Sequence, residues 1–459
     1  MTTPAHIFRE YDIRGKADVD LTDNLTTRLG LGLAKMLSAD VNGRARIVVG
    51  RDCRLSGPRL QKALIDGLTR GGVDVLEIEI GPTPQMYFAV HHLKADGGIM
   101  ITGSHNPGDD NGFKMMIGRA SFFGASIQEL RVLVEAADFA ETEPGTVTAT
   151  PVSDAYIDAL TADIQLDKSL KLVVDAGNGS AGPLGLRAFA KLGLTPSALF
   201  CDMDGTFPNH HPDPTVAKNL IDLTARVASD GAVAGLAWDG DGDRLGVVDK
   251  TGEIIWGDRL LALFARELLK TEPGATIIGD VKCSSSLFTD VNARGGRSIM
   301  WKTGHSLIKA KMKEEKASIC GEMSGHFFFA DRYFGYDDGI YAALRVAEIL
   351  SKQKKTIAEL LSDLPSLVST PEMRVACPDN IKFDVIERVR KHYNGKEKII
   401  ELDGVRVEYE DGAWTLARAS NTGPVIVLRM EASDEARLRE VKTDMEAVVS
   451  SARQALEAT

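Results

Sequence analysis

A pattern that occurs three times constrains the fold of this chain more than any single residue does. "RIVVGRDCRLSG" (46–57), "KLVVDAGNGSAG" (171–182) and "TIIGDVKCSSSL" (276–287) each run an apolar strand into a loop with an aspartate and small residues. Farther along each section a second apolar run empties into a more unusual loop: "GGIMITGSHNP" (97–107), "AVAGLAWDGDGDR" (232–244) and "ASICGEMSGH" (317–326). Helix-like stretches lie between them. "TDNLTTRLGLGLAKMLSAD" (22–40), for example, is apolar at helical spacing behind an acidic, threonine-rich entry. Strands alternating with helices favour α/β units over segregated elements, so three α/β units of similar layout are expected. Open α/β sheets bind ligands outside the carboxyl ends of their strands, which is where these loops belong.

Linkers divide the chain. The polar "FAETEPGTVTATP" (139–151), the hairpin-like "VVDKTGEIIWGD" (247–258) and "LPSLVSTPEM" (364–373) suggest domains at 1–150, 151–253, 254–367 and 368–459. The last segment reads as strand, helix, strands and an amphipathic helix, a small α+β domain. A formal net charge of −11 argues against nucleic acid and anionic membrane as partners. It leaves room for an anionic substrate where cations gather in a cleft. The five cysteines are scattered and never spaced C-x-x-C, as expected of reduced thiols. The N-terminal "MTTPAHIFREYDIRG" has charges where a signal peptide needs an apolar core, and nowhere do eighteen apolar residues run together. A soluble cytoplasmic protein is expected.

In "WDGDGDRLG" (238–246), Asp239, Asp241 and Asp243 alternate with glycines, so three carboxylates converge from one short loop. Such a group needs a cation, and oxygen-only ligands suit Mg²⁺ or Ca²⁺, not zinc. An EF-hand does not fit, because Arg244 and Lys250 stand where glycine and a bidentate glutamate are required. A solvated Asp-Gly turn is the plainer alternative, but the apolar strand feeding directly into the loop argues against it. Ser104 in "TGSHNP" is by itself an ordinary turn serine; beside a Mg²⁺ loop it becomes a candidate phosphate carrier. Glu322, Ser324 and His326 stand at alternate positions, and an extended loop would send them to one side toward sugar hydroxyls. In "ARASNTGPVIV" (417–427), Arg418 offers a bidentate phosphate partner, with donors from Ser420, Asn421, Thr422 and Gly423. A simple β-turn is the alternative there.

Taken in order, "FREYDIRG" (8–15), "TGSHNP", "DGDGDR", "GEMSGH" and "RASNTGP" resemble the α-D-phosphohexomutases, and within them the bacterial phosphomannomutase/phosphoglucomutase type. The resemblance spans essentially the whole chain. It implies three related α/β domains with mixed sheets around a central cleft, plus a C-terminal α+β domain. Ser104 then matches the phosphate-carrying serine, and Asp239, Asp241 and Asp243 the Mg²⁺ ligands, with the phosphoserine oxygen completing the protein part of the shell. Glu322, Ser324 and His326 match the sugar-recognition loop, and Arg418, Ser420, Asn421 and Thr422 the phosphate-binding loop. Tyr11, Arg14, Lys114, Arg244, Lys282 and His305 match further cleft residues, with Lys114 and His305 as candidates for handling the proton.

The implied reaction moves a phosphoryl group reversibly between the 1- and 6-positions of a mannose or glucose phosphate. It passes through a phosphoserine enzyme and a hexose 1,6-bisphosphate, which is both intermediate and activator. The serine and phosphate loops differ from the Ala-Ser-His-Asn-Pro and Arg-Pro-Ser-Gly-Thr-Glu types of glucosamine-phosphate mutases, and "GEMSGH" differs from the Glu-Glu-Ser-Phe loop of animal-type phosphoglucomutases. A phosphoglucosamine mutase is the nearest alternative and a Mg²⁺-dependent sugar-phosphate phosphatase a more distant one. A monomer or dimer is expected.

Overall fold

Near-continuous apolar strands buried on both faces organise the first three units, as parallel sheets covered by helices require. In the computed structural model, which describes residues 3–40, 43–140, 142–421 and 423–457, Gly97–Ile101, Ala234–Trp238 and Thr276–Asp280 are buried at every position. The first sheet sets Arg46–Arg51 parallel to both Gly97–Ile101 and Asp74–Glu77. The second sets Ala234–Trp238 parallel to Leu172–Asp175, and the third sets Thr276–Asp280 between Arg297–Trp301 and Ile319–Gly321. Pro58, Pro84 and Pro183 open helices in the first two units, where a missing N–H costs nothing.

Each unit then reverses direction once. Gly97–Ile101 returns as Asp110–Ile117, Ala234–Trp238 as Leu245–Asp249, and Ile319–Gly321 as Phe327–Phe329, all antiparallel. The sheets are therefore mixed. The turns of these three hairpins, at 102–109, 239–244 and 322–326, are the three motif loops. The polar stretch after residue 139 is not wholly a linker: Val147–Ala149 pairs with Asp74–Glu77 and forms the exposed edge of the first sheet.

The fourth unit is built differently. Its sheet, in the order Val368–Ser369, Val425–Ala432, Trp414–Ala419, Val405–Glu408, Lys398–Ile400, is antiparallel throughout, with Met373–Ala376 also on Val425–Ala432. Helices Lys382–Tyr393 and Glu435–Glu457 cover it. One apolar core runs through the first three units, joining Val48 and Met86 to Val174 and Trp238, and on to Phe264, Phe327 and Tyr341. The fourth has its own, around Val389, Leu428, Met430 and Met445. No helix among the described residues is long and apolar enough to cross a membrane.

Candidate active site

Ser104 sits at the end of a buried strand with φ +51°, a left-handed conformation that costs a non-glycine residue about 1–3 kcal/mol unless its surroundings enforce it. They do. Its N–H donates to Thr102 Oγ1 (2.8 Å), whose hydroxyl donates to Asp52 Oδ2 (2.7 Å). Behind the loop, the fully buried guanidinium of Arg54 donates to the carbonyls of Ser104 (2.7 Å), Asn106 (2.6 Å), Pro107 (2.5 Å) and Asp110 (2.8 Å). Four carbonyls on one planar cation fix the course of the loop. Ser104 Oγ ends up 3.1 Å from Asp239 Oδ2 and 3.1 Å from His105 Nδ1.

That contact brings the first two motif loops together, and glycine allows it. A Cβ on Gly240 would meet the Ser104 carbonyl at 2.4 Å, so any side chain there would push the loops apart. Asp239, Asp241 and Asp243 are completely buried, with carboxylate oxygens within 4.8 Å of one another. Thr83 Oγ1 donates to Asp241 Oδ2 at 2.5 Å. Lys114 reaches in from Asp110–Ile117, its Nζ donating to Asp241 Oδ2 (2.7 Å) and to Asp243 Oδ2. Burial works against the charge on Lys114, but Asp241 and Asp243 outweigh it and hold the ammonium above its ordinary pKa. Burial likewise opposes ionisation of Asp243, yet Lys114 and His326 keep its carboxyl well below the usual range. Asp239, facing the other two carboxylates, is pushed well above it by burial and their charge.

A hard divalent cation fits this set. Asp241 Oδ1 is buried without a hydrogen bond, which is costly unless something else engages it, and the three side chains offer only carboxylate oxygens.

The second and third motif loops are zipped together. Arg244 forms a backbone bridge with His326, Leu245 N donates to Gly325 O (2.9 Å), and Arg244 Nε lies 3.2 Å from His326 Nε2. The third motif loop is a tight turn with Gly325 at φ +90° and Glu322 N donating to His326 O (2.9 Å), not the extended loop expected. Its three side chains meet because the turn folds them inward: His326 Nδ1 is 2.9 Å from Glu322 Oε2 and 3.2 Å from Ser324 Oγ. His326 Nε2 is also 3.3 Å from Asp243 Oδ1. Burial opposes its charge, but Asp243 raises its pKa to about 9. An imidazolium donates to Asp243 and cannot accept from Arg244, so we take the Asp243 contact as the hydrogen bond.

The other expected residues border the same space. Arg14 donates to Asn106 Oδ1 (2.9 Å) in the serine loop and to Asp12 Oδ2 (2.5 Å). His305 Nδ1 is 3.5 Å from Asp337 Oδ2, and burial, with Lys309 and Lys114 nearby, holds its pKa well below the ordinary value. Lys282 pairs with Glu372 across the entry to the fourth unit (3.1 Å). Arg418 Nε donates to Asp403 Oδ2 (2.9 Å), and Asn421 Nδ2 donates to Tyr11 OH (2.6 Å), bridging the fourth unit to the first. Ser420 is pinned by Lys382, whose Nζ donates to its carbonyl at 2.6 Å. Thr422 lies outside the described residues.

The sequence reading passes over Arg54, Asp52, Thr83 and Asp337. For the first two the available signal is position, just past the carboxyl end of the parallel strand Arg46–Arg51. For Thr83 and Asp337 no local pattern marks the role.

A buried serine hydroxyl 3.1 Å from one of three clustered aspartates, with Lys114 among them and Arg244 beside them, fits a phosphohexomutase-type active site. Four family models agree: phosphoglucomutase/phosphomannomutase α/β/α domains I (residues 5–141), II (154–252) and III (256–368), and the C-terminal domain (372–448). A phosphomannomutase/phosphoglucomutase from Pseudomonas aeruginosa is 46% identical over 445 residues, 96% of this chain and 95% of that one. A phosphoglucomutase from Neisseria gonorrhoeae is 45% identical over 449 residues, 97% of each. The crystal structure of a phosphoglucomutase/phosphomannomutase family protein from Burkholderia thailandensis superposes with TM-score 0.91 at 45% identity, over 98% of both chains. The chain belongs to the phosphoglucomutase/phosphomannomutase family.

Proposed function

We propose that this enzyme interconverts the 1- and 6-phosphates of glucose and mannose, with Ser104 carrying the phosphoryl group. The single observation that carries the reading is Ser104 Oγ at 3.1 Å from the first of three buried aspartates. Asp239, Asp241 and Asp243 would hold Mg²⁺, which supplies positive charge against the phosphoryl oxygens.

A free sugar hydroxyl attacks the phosphorus on Ser104, and the P–Oγ bond breaks to leave a hexose 1,6-bisphosphate. After the sugar turns end over end, Ser104 takes back the other phosphate. Phosphoryl transfer requires chiefly alignment and charge neutralisation. Arg54 supplies the alignment by fixing the loop, while Lys114, Arg14 and Arg244 supply charge around it. The attacking hydroxyl needs a neutral acceptor for its proton. Lys114 is held as an ammonium and His326 as an imidazolium, so we assign both a charge-stabilising role and give proton handling to the imidazole of His305.

Glu322, Ser324 and His326 read the ring hydroxyls. Arg418, Ser420, Asn421 and Thr422 grip whichever phosphate is not reacting, and Tyr11 and Lys282 line the approach. Because the grip reads charge and not position, both orientations of the bisphosphate are accepted.

Glucose 1-phosphate with a trace of glucose 1,6-bisphosphate tests the reading: glucose 6-phosphate supports it, and release of inorganic phosphate replaces it with a phosphatase. Intact mass should show one phosphate that Ser104→Ala lacks.

A further inference from the structure

Asp337 and Asp338 are adjacent in the chain and serve different places. Asp338 accepts from the hydroxyls of Tyr156 (2.8 Å) and Tyr333 (2.9 Å) and caps helix Gly339–Gln353 through Tyr341 N (2.9 Å). Asp337 lies on the side of Asp243 and His326, with one side-chain N or O atom of each of the three within 4.8 Å of the others. It is fully buried, and its Oδ1 accepts from Lys309 Nζ at 2.9 Å, the same ammonium lying 4.2 Å from the centre of the Tyr87 ring. Its Oδ2 has no hydrogen bond and lies 3.5 Å from His305 Nδ1, which has none either. Two buried polar atoms left unpaired are expensive, and a small rotation of the imidazole pairs them.

The backbone around Asp337 cannot drift. It bridges Phe328 in the third sheet, and the next turn is tied to the aspartate loop, with Gly339 N donating to Gly242 O (3.0 Å) and Trp238 Nε1 to Gly339 O (2.9 Å). His305 is confined as well: its ring sits edge-on to Tyr11 at 6.1 Å and beside His326. With Nδ1 turned to Asp337, Nε2 is the atom His305 has to offer a ligand.

We propose that Asp337 is a positioning residue: it accepts the Nδ1–H of His305 and so fixes ring orientation and tautomer, presenting an unprotonated Nε2 to a substrate hydroxyl. A neutral imidazole has one N–H, and the partner of one nitrogen decides what the other can do. An unprotonated Nε2 accepts from a sugar hydroxyl, which an Nε2–H cannot do. Lys309 balances the buried carboxylate, keeping it an acceptor. This role rests on the mutase reading above; the pairing itself does not.

Ring-nitrogen NMR of the full chain, with the His305 signals assigned by His305→Gln, tests the pairing directly. The proton is expected on Nδ1 in the parent protein. In Asp337→Asn the amide can donate to Nδ1, and the proton is expected to move to Nε2. In steady-state assays, Asp337→Asn should lower kcat about 30-fold with KM within about threefold, and in the His305→Gln background it should cost under about twofold more. A parent ring protonated at Nε2 overturns the proposal, and so does an Asp337→Asn loss of equal size in both backgrounds. A parent protein without mutase activity would instead overturn the functional reading, and the ring tautomer would still decide the pairing.

Discussion

On the proposed function the serine loop and the clamp loop around Arg418 both face phosphate, and both are gripped from behind by a buried cation that holds carbonyl oxygens. The grips differ. Arg54 holds four carbonyls and is packed within units that share one apolar core. Lys382 holds two, those of Ser420 (2.6 Å) and Gly423 (3.2 Å), in a unit with a core of its own. Side-chain contact from the clamp unit to the first unit includes Asn421 on Tyr11 and the more exposed Arg9–Asp379 pair at 3.4 Å. On that reading, chemistry sits where the backbone is locked in four directions, and phosphate recognition sits on a unit whose main core is separate.

The largest expected effect is at the locked end. Ser104→Ala should lower kcat by at least about a thousandfold while leaving the thermal midpoint nearly unchanged, because the hydroxyl does the chemistry and Arg54 holds the loop. Residual turnover within tenfold of the parent would break the comparison at its root.

Next come the two grips, measured against each other. Arg54→Met strands four carbonyls and leaves Asp52 buried without its cation, a loss of about 3–5 kcal/mol in urea unfolding, together with activity. Lys382→Met should cost less, about 1–3 kcal/mol, and raise KM more than it lowers kcat. Equal losses in both properties would mean that the two loops are held alike.

Acidity separates the two regions more gently. Burial pushes the Asp338 carboxyl up to about 6, and it lies at the joint between the second and third units. A folded pKa above the unfolded value, about 3.9, means the native state binds the extra proton. Its contribution is present below pH about 4 and is lost as pH rises through about 6, a change on the order of 2–3 kcal/mol. Calorimetry across that window should show the Asp338→Asn variant lacking this component, with the transition of the fourth unit unaffected.

Asn421→Ala should have the smallest effect: KM up about threefold, with kcat nearly constant. Small-angle scattering should show the fourth unit drawing in when substrate binds, and less so in this variant. Identical curves with and without substrate would count against closure.

How much of this was legible in the sequence depended on distance along the chain. Asp239, Asp241 and Asp243 lie within five residues, so their convergence followed from local geometry alone. Glu322, Ser324 and His326 were found for the wrong local reason, since a turn, not alternation along an extended strand, brings them together. Arg54 left no such trace: its partners are roughly fifty residues away, and nothing in "RDCRLSG" announces four carbonyls. Asp337 and His305 meet across 32 residues through two different elements, and no pattern links them.

By itself the sequence determined the repeated strand–loop layout, the boundaries of its motifs and the chemical character of each loop, because apolar periodicity and short-range spacing act within one element. Only the tertiary structure decided that Ser104 meets Asp239, that Lys114 enters the carboxylate cage, and that the fourth unit, with a main core of its own, joins the third through Val281, Trp414 and Leu416. Those facts depend on side chains far apart in the chain sharing a small dry volume, where burial and mutual charge, not local order, set their positions and their protons.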